Sequence, residues 1–410
     1  MRFHILHSPL GTLLAYHLRQ TLPPKHAVSL VYNRRDVVQK QINPNNVLRL
    51  ENSGVIMSIR NVDFEFLNPS HGSSGSGAPS TSNTESPSAK GHDSRIIESL
   101  IVTIPPSATQ STLDPLIHRL SPKSTIVLMQ TGLGVYERLI TSVFPNPARR
   151  PHFIIASPRH GAWLKQPNHV VHALPGSIDF SIMPDPRGRD FEAILRSSDV
   201  PPLSRGLRLT DIANKDNDRK FGEYASLRNT VAVLSNLDEL NVAWLPMGEG
   251  EIVFRRDLVV RAVADALAVT LGLPNGELLS TRSSRKLAED LILEISGAFR
   301  RQWFREIHSQ LPSEDGESQE RPVLPQPPKG LGKKALMGEL VRYLLVTSEF
   351  NAPMLRDIQS GSRTQVRYGL GYLHAIGRAY EFPMPTTSAL LQTIRARESL
   401  GIQKRDVVET

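Results

Sequence analysis

Cysteine is absent from all 410 residues. That one absence excludes disulfide scaffolds, thiolate zinc sites, iron–sulfur clusters and cysteine nucleophiles. Uncharged apolar runs of about 18 residues are missing too, so no membrane-spanning helix is expected. There is no phosphate loop of the Gly-x-x-x-x-Gly-Lys-Ser/Thr type and no His-Glu-x-x-His pair. His4 and His7 are too isolated to nominate a metal site, and no metal is expected. Acidic residues are missing from the first 35 positions, which hold Arg2, Arg19, Lys25, Arg34 and Arg35 before Asp36. Such a bias fits a mitochondrial targeting segment. Yet Phe3–Leu6 reads as a strand that starts almost at once, which favours a folded beginning and leaves an uncleaved, internal signal as an open alternative.

Positive charge is what the sequence has in excess. Lys and Arg total 48 against 40 acids, a net charge of +8 with a pI near 9.7. The balance points toward polyanionic partners, either nucleic acid or a phosphorylated cofactor. The length suits two domains. Strand-like and helical stretches alternate from Phe3 to Ile155, with Leu113–Leu120 among the helices, the pattern of parallel β-α-β units. From about Asp211 the apolar spacing becomes three and four, over Phe221–Leu237, Arg255–Leu271, Ser283–Gln310 and Leu336–Thr347, the pattern of a helical bundle. The expected division is an α/β domain over 1–205 and an all-α domain over 206–400. Two stretches, 69–95 and 311–333, are poor in buriable residues and read as disordered insertions.

The first strand–turn–helix reads Leu6-His7-Ser8-Pro9-Leu10-Gly11-Thr12. A dinucleotide-binding turn uses glycines so that backbone N–H groups can approach a pyrophosphate. Only Gly11 stands here, and Pro9 removes one N–H. Phosphate binding is expected to be weakened. Arg34 follows the second strand, where a cation can meet a 2′-phosphate, which would favour NADP.

Several motifs, in order and spacing, carry a family resemblance. They are Ile101-Val102-Thr103, then Ser124–Val135 with its Gln130-Thr131-Gly132-Leu133-Gly134, then His160-Gly161-Ala162 and His169–Ala173 with Gly176. Leu271-Gly272-Leu273-Pro274-Asn275-Gly276-Glu277-Leu278 follows. Met354-Leu355-Arg356-Asp357 and Gly361–Val366 with Gly371-Tyr372 close the series. Together they make the chain resemble the ketopantoate reductase (2-dehydropantoate 2-reductase) family, as a degenerate, fungal-type member. The resemblance implies a Rossmann-type N-terminal domain and a helical, 6-phosphogluconate-dehydrogenase-like C-terminal domain. It also implies NADPH, a 2-oxo acid substrate and a lysine proton donor.

Carried over residue by residue, the resemblance fails where the chemistry would be. Asp257 stands at the position of the family's lysine, with Arg261 and Asp265 in place of its asparagines. Thr131 replaces the asparagine before Gly132, Pro105 replaces a lysine after the third nucleotide strand, and Gln365 replaces the substrate-side glutamate. Ala352-Pro353 replaces a serine pair. Asp257, Arg261 and Asp265 fall at i, i+4 and i+8, which suggests a ladder of ion pairs on one helix face. An ordinary aspartate is ionised and cannot donate a proton to a ketone. No catalytic residue is assigned with these replacements, and Gly11, Arg34, Thr131 and Gly132 are the cofactor-side candidates.

The reading that follows is a reductase-fold protein turned binding or scaffolding subunit, mitochondrial, with RNA or the mitochondrial ribosome as a candidate partner and a homodimer as candidate assembly. The RNA expectation rests on Phe299-Arg300-Arg301-Gln302-Trp303-Phe304-Arg305, where cations and rings interleave. An amphipathic helix with its rings in the core is the competing account. Two alternatives remain beside the main reading. One is an active NADPH-dependent 2-dehydropantoate 2-reductase of the pantothenate pathway. The other is a new small-molecule activity in the same fold.

Overall fold

A computed structural model describes residues 1–33, 47–67, 96–201, 205–310 and 326–409. Arg34 and the expected insertion at 69–95 lie outside the described residues. So does the second insertion as far as residue 325. Its remainder is ordered into a turn, Lys329–Leu331, whose Leu331 is buried. The chain forms two compact units, Met1–Gln130 with Tyr136–Gly250, and Thr131–Val135 with Glu251–Thr410.

The first unit is built on an eight-stranded sheet. Strands β1 (Arg2–Leu6), β2 (Ala27–Tyr32), β5 (Asp63–Phe66), β6 (Ser99–Val102), β7 (Thr125–Met129), β8 (His152–Pro158), β11 (Ile178–Ile182) and β12 (Val242–Trp244) lie in the order β12-β11-β8-β7-β6-β1-β2-β5. Every neighbouring pair is parallel except β8 and β11. Parallel central strands are covered on both faces, so they read as continuous apolar runs. Ser-Leu-Ile-Val of β6 and Thr-Ile-Val-Leu-Met of β7 are buried throughout. The acid-free start of the chain supplies β1 and β2 together with helix α1 (Pro9–Thr21), all inside this sheet unit.

A second, four-stranded sheet joins two hairpins from distant parts of the chain. Strands β3 (Leu48–Asn52), β4 (Val55–Ile59), β9 (Gly161–Gln166) and β10 (His169–Leu174) lie in the order β4-β3-β10-β9. It packs on α1. The hairpin turn before β4 holds Ser53 and Gly54 at positive φ, the left-handed geometry that two-residue turns need.

Three expectations require correction. The stretch Leu113–Leu120 is not one α-helix but a short helix, Thr109–Leu113, followed by 3₁₀ turns over Asp114–Arg119. Pro115 explains it, since proline lacks an N–H and clashes with the preceding turn. Secondly, the all-helical part does not begin at 206. Helix α2 (Phe221–Ser235) contacts β6, β7 and β12, and β12 pairs in parallel with β11. The division falls at Gly250. Periodicity detects a helix, but not which core receives its apolar face. Thirdly, the sheet strands β5, β9, β11 and β12 have weak local signals, three to six residues each, and were not expected individually.

The second unit is all-helical among its described residues. Its main helices are α3 (Met247–Leu271), α4 (Arg282–Gln310), α5 (Lys333–Val346), α6 (Pro353–Gln359), α7 (Leu370–Ala379) and α8 (Pro385–Glu409). From Leu258 to Val269, α3 is buried at every position except Arg261 and Asp265. A helix apolar on all sides is a core helix. Its two polar interruptions, one turn apart, therefore need a reason.

Candidate functional site

The turn between β1 and α1 belongs to the first unit. Ser8 is the N-cap of α1: its hydroxyl accepts the Gly11 N–H at 2.9 Å, and its carbonyl accepts the Thr12 N–H at 2.8 Å. Pro9 occupies the first helical turn and has no N–H to give. Ser8 Oγ donates onward to Thr103 Oγ1 at 2.9 Å, and Thr103 donates to the Leu6 carbonyl at 2.7 Å. Two of the first-turn donors that a pyrophosphate would meet at this helix start are thus gone: Pro9 has none and the Gly11 N–H is taken by Ser8. Gly11 serves packing: a Cβ there would collide with the Leu6 carbonyl and lie 2.6 Å from Thr103 Oγ1. His7 stacks on Tyr32 with centroids 4.1 Å apart, and both bond to the Pro167 carbonyl. Burial pushes the His7 imidazole below its ordinary range, so this corner is neutral at physiological pH. A dinucleotide phosphate would meet fewer free N–H groups here than at a glycine-rich turn.

A cavity of about 90 Å³ lies in the second unit. Its wall brings together Thr131, Gly132, Arg261, Asp265 and Gln365, five of the residues singled out from the sequence. Asp257 sits one turn before Arg261 on α3 and is not among the lining residues. Thr131 and Gly132 reach the wall because their short segment docks on this unit. Leu133 N–H donates to the Tyr368 carbonyl at 3.2 Å, and Gly134, at positive φ, lies against the Tyr372 ring. Tyr343 of α5 and Asp357 of α6 complete the polar lining. Tyr343 gave no signal, because its helical spacing is that of an ordinary packed position.

Asp265 differs from the ionised aspartate expected. Burial in the apolar middle of α3 pushes its carboxyl up to about 7. The Met354 N–H, 3.5 Å from Oδ1, and the charges of Arg261 and Arg356 pull it down, while Asp357 pushes it up. Asp357 is itself raised, by burial first and then by Glu398, with Arg356 opposing. Burial also raises Tyr343. The Arg261 guanidinium stands 5.8 Å from the centre of the Tyr343 ring. One fixed cation therefore shares a small cavity with two carboxyls that burial pushes upward, Asp265 to about 7. No lysine or histidine is in the lining, and no group of three or more His, Cys, Asp or Glu among the described residues could hold a metal.

The basic–aromatic stretch on α4 divides, with Trp303 and Phe304 half-buried. Phe299 and Gln302 are buried, Arg255 lies 5.2 Å over the Phe299 ring, and Arg305 pairs with Glu381 at 2.8 Å. Phe299 is therefore a core ring and cannot stack on a base. No described helix is long and apolar enough to cross a membrane.

Comparison with known proteins gives one consistent result. A family model described as ketopantoate reductase PanE/ApbA matches residues 10–185, and its C-terminal counterpart matches residues 255–398. The probable 2-dehydropantoate 2-reductase of Schizosaccharomyces pombe is 25% identical over 205 residues, half of this chain and half of that protein. The 2-dehydropantoate 2-reductase of Saccharomyces cerevisiae is 30% identical over 77 residues, 19% of this chain and 20% of that one. The chain thus aligns with half the length of the first of these relatives and a fifth of the second. Among solved structures, D-mandelate dehydrogenase with NADH and anilino(oxo)acetate has a TM-score of 0.63 at 13% identity, covering 98% of this chain and 99% of that one. The dimeric ketopantoate reductase of Staphylococcus aureus has a TM-score of 0.58 at 11% identity, covering 98% and 100%. At these identities the structural likeness speaks for the fold alone.

Proposed function

The chain belongs to the ketopantoate reductase family, and we propose that within it this protein is a small-ligand-binding member that no longer reduces ketopantoate. The observation that carries the reading is the self-capped start of α1. Ser8 takes the N–H of Gly11 and Pro9 supplies none, so the turn that should grip a nicotinamide dinucleotide has little to offer its phosphates. The cavity in the helical unit supports the same reading from the substrate side. Its lining holds an arginine and two carboxyls and no lysine, and Asp257, at the position of the family's lysine, is not part of it. Arginine stays protonated and cannot act as the acid. Asp265 could hold a proton at neutral pH, which gives some support to the alternative, an active 2-oxo acid reductase. The RNA role is left out, because Phe299 belongs to the core. The reading includes a mitochondrial location, supported by the basic first 35 residues, and a homodimer, supported by the dimeric Staphylococcus aureus relative.

The test is an NADPH titration of the purified protein, followed by a ketopantoate-dependent NADPH oxidation assay. Dissociation constants in the high micromolar range or weaker, and no oxidation above background, are expected. Tight NADPH binding with turnover that disappears in Asp265→Asn would replace this reading with the reductase.

A further inference from the structure

We propose that helix α5 of the helical unit is the homodimer face, packing antiparallel on α5 of a second copy across a two-fold axis between Val341 and Arg342. The inference rests on the homodimer reading above and gives that dimer its contact surface.

Helix α5 is apolar on two sides. Leu336, Leu340 and Leu344 are buried in the core of their own unit. On the other side Lys334, Gly338, Val341 and Leu345 follow one another at i, i+4, i+7 and i+11, one stripe along the helix, and all four are exposed. Val341 is 42% and Leu345 71% exposed, while Val346 and Phe350, beside and beyond them, are 55% and 45% exposed. Single apolar residues on a surface are ordinary, but a group of large ones along one helix end marks an association surface.

Gly338 interrupts this stripe without an internal cause. A Cβ there would meet nothing within 4 Å, so the chain's own packing does not ask for glycine. Glycine inside a helix nevertheless costs about 1 kcal/mol relative to alanine. A second helix at close approach gives the notch a use. Around a two-fold axis between Val341 and Arg342, positions equally far from the axis face each other. Leu345 of one copy then lies opposite Gly338 of the other, and the same knob and notch recur on the far side of the axis.

Charge selects a second copy as the occupant. Lys334 lies in the first turn of α5, where the helix dipole favours acids, and Glu349 lies just past the last turn, where it favours bases. Both charges are therefore misplaced for a helix standing alone. Neighbouring Lys333 is held by Glu289, and Arg342 by Glu339, each at 3.0 Å. Lys334 and Glu349 have no ion pair among the described residues. The same two-fold axis brings Lys334 of each copy to Glu349 of the other, and sets each charge at the favourable end of the facing helix. Arg342, next to the axis, carries its own counter-ion in Glu339, so the centre is not a meeting of bare cations.

The experiment is sedimentation velocity of the full chain over about 0.1–50 µM, a range in which the wild type should pass from monomer to dimer. Leu345→Lys and Gly338→Leu should each weaken the dimer at least about tenfold, one by charging the knob and the other by filling the notch. Both should keep the wild-type melting temperature at dilutions where only monomer is present, because neither position is packed within the chain. Lys334→Glu or Glu349→Lys alone should weaken the dimer about tenfold, since two exposed attractions become repulsions. The two exchanges together should return it to within about threefold of wild type. A wild-type dimer that these variants leave unchanged, or charge exchanges whose losses add instead of cancelling, overturns this face while the homodimer reading stands. A wild-type chain that stays monomeric over the whole range overturns both.

Discussion

Asp265 and Arg261 show how a single side chain can be misjudged from its neighbours in sequence. An aspartate at an exposed helical position is ionised at neutral pH and pairs with a basic residue one turn away. Asp265 instead occupies the middle of a helix that is otherwise buried and apolar, so desolvation outweighs the attraction of Arg261. The surroundings come from Leu258, Ala262, Tyr343 and Met354, which are distant in sequence or unremarkable in type. Its folded carboxyl titrates near 7, far above the ordinary aspartate range. Between those limits the folded protein holds a proton that the unfolded chain has lost, so stability declines as pH rises through this window. Replacing Asp265 with Asn should therefore raise stability at about pH 8 by roughly 1–3 kcal/mol and leave it nearly unchanged at about pH 4. Urea denaturation at the two pH values reads the difference; equal effects at both would show that the carboxyl is ionised throughout.

At the scale of elements, the turn into α1 was the most legible part of the candidate site. Its missing glycines and Pro9 were visible in the sequence as a departure from a glycine-rich phosphate turn. What the sequence could not show was that Ser8 closes the gap by capping the helix and linking to Thr103, a residue 95 positions away. Ser8→Ala removes the cap bond to Gly11 and the bond to Thr103 together. A loss of about 1–2 kcal/mol is expected from the cap alone, measured by chemical denaturation. A wild-type value would mean that water substitutes fully. Helix α3 taught the opposite lesson. Its position and its polar spacing were legible, but not that Arg261 and Asp265 line a cavity from which Asp257 is absent.

On the whole-molecule scale, the class of each half was readable from periodicity, while the boundary between them was not. The two cores also respond to acid differently. In the first unit His152 sits between Arg187 and the Glu223 carbonyl, and burial, with Arg187 and Arg189, drives its imidazole down to about 4. His17 of α1 is likewise held near 4 by burial and by His172 and His160. These imidazoles are neutral when folded and titrate near 6.5 when unfolded. The unfolded chain therefore binds protons that the folded chain refuses, and stability is lost as pH falls from about 6.5 toward 4. Each histidine should cost roughly 2 kcal/mol at about pH 5 relative to about pH 7. Urea denaturation across that range should show the decline, and His17→Leu should remove about half of it. A flat profile would mean that both rings are protonated in the fold.

The self-capped start of α1 has a consequence for the protein's life in a cell. A phosphate-binding turn is completed by its nucleotide, so proteins that use one tie their survival to nucleotide supply through mass action. Here Ser8 and Thr103 complete the turn from within. Abundance of this protein should therefore stay level when a cell is starved of nicotinamide, while cofactor-dependent members of the same family decline around it.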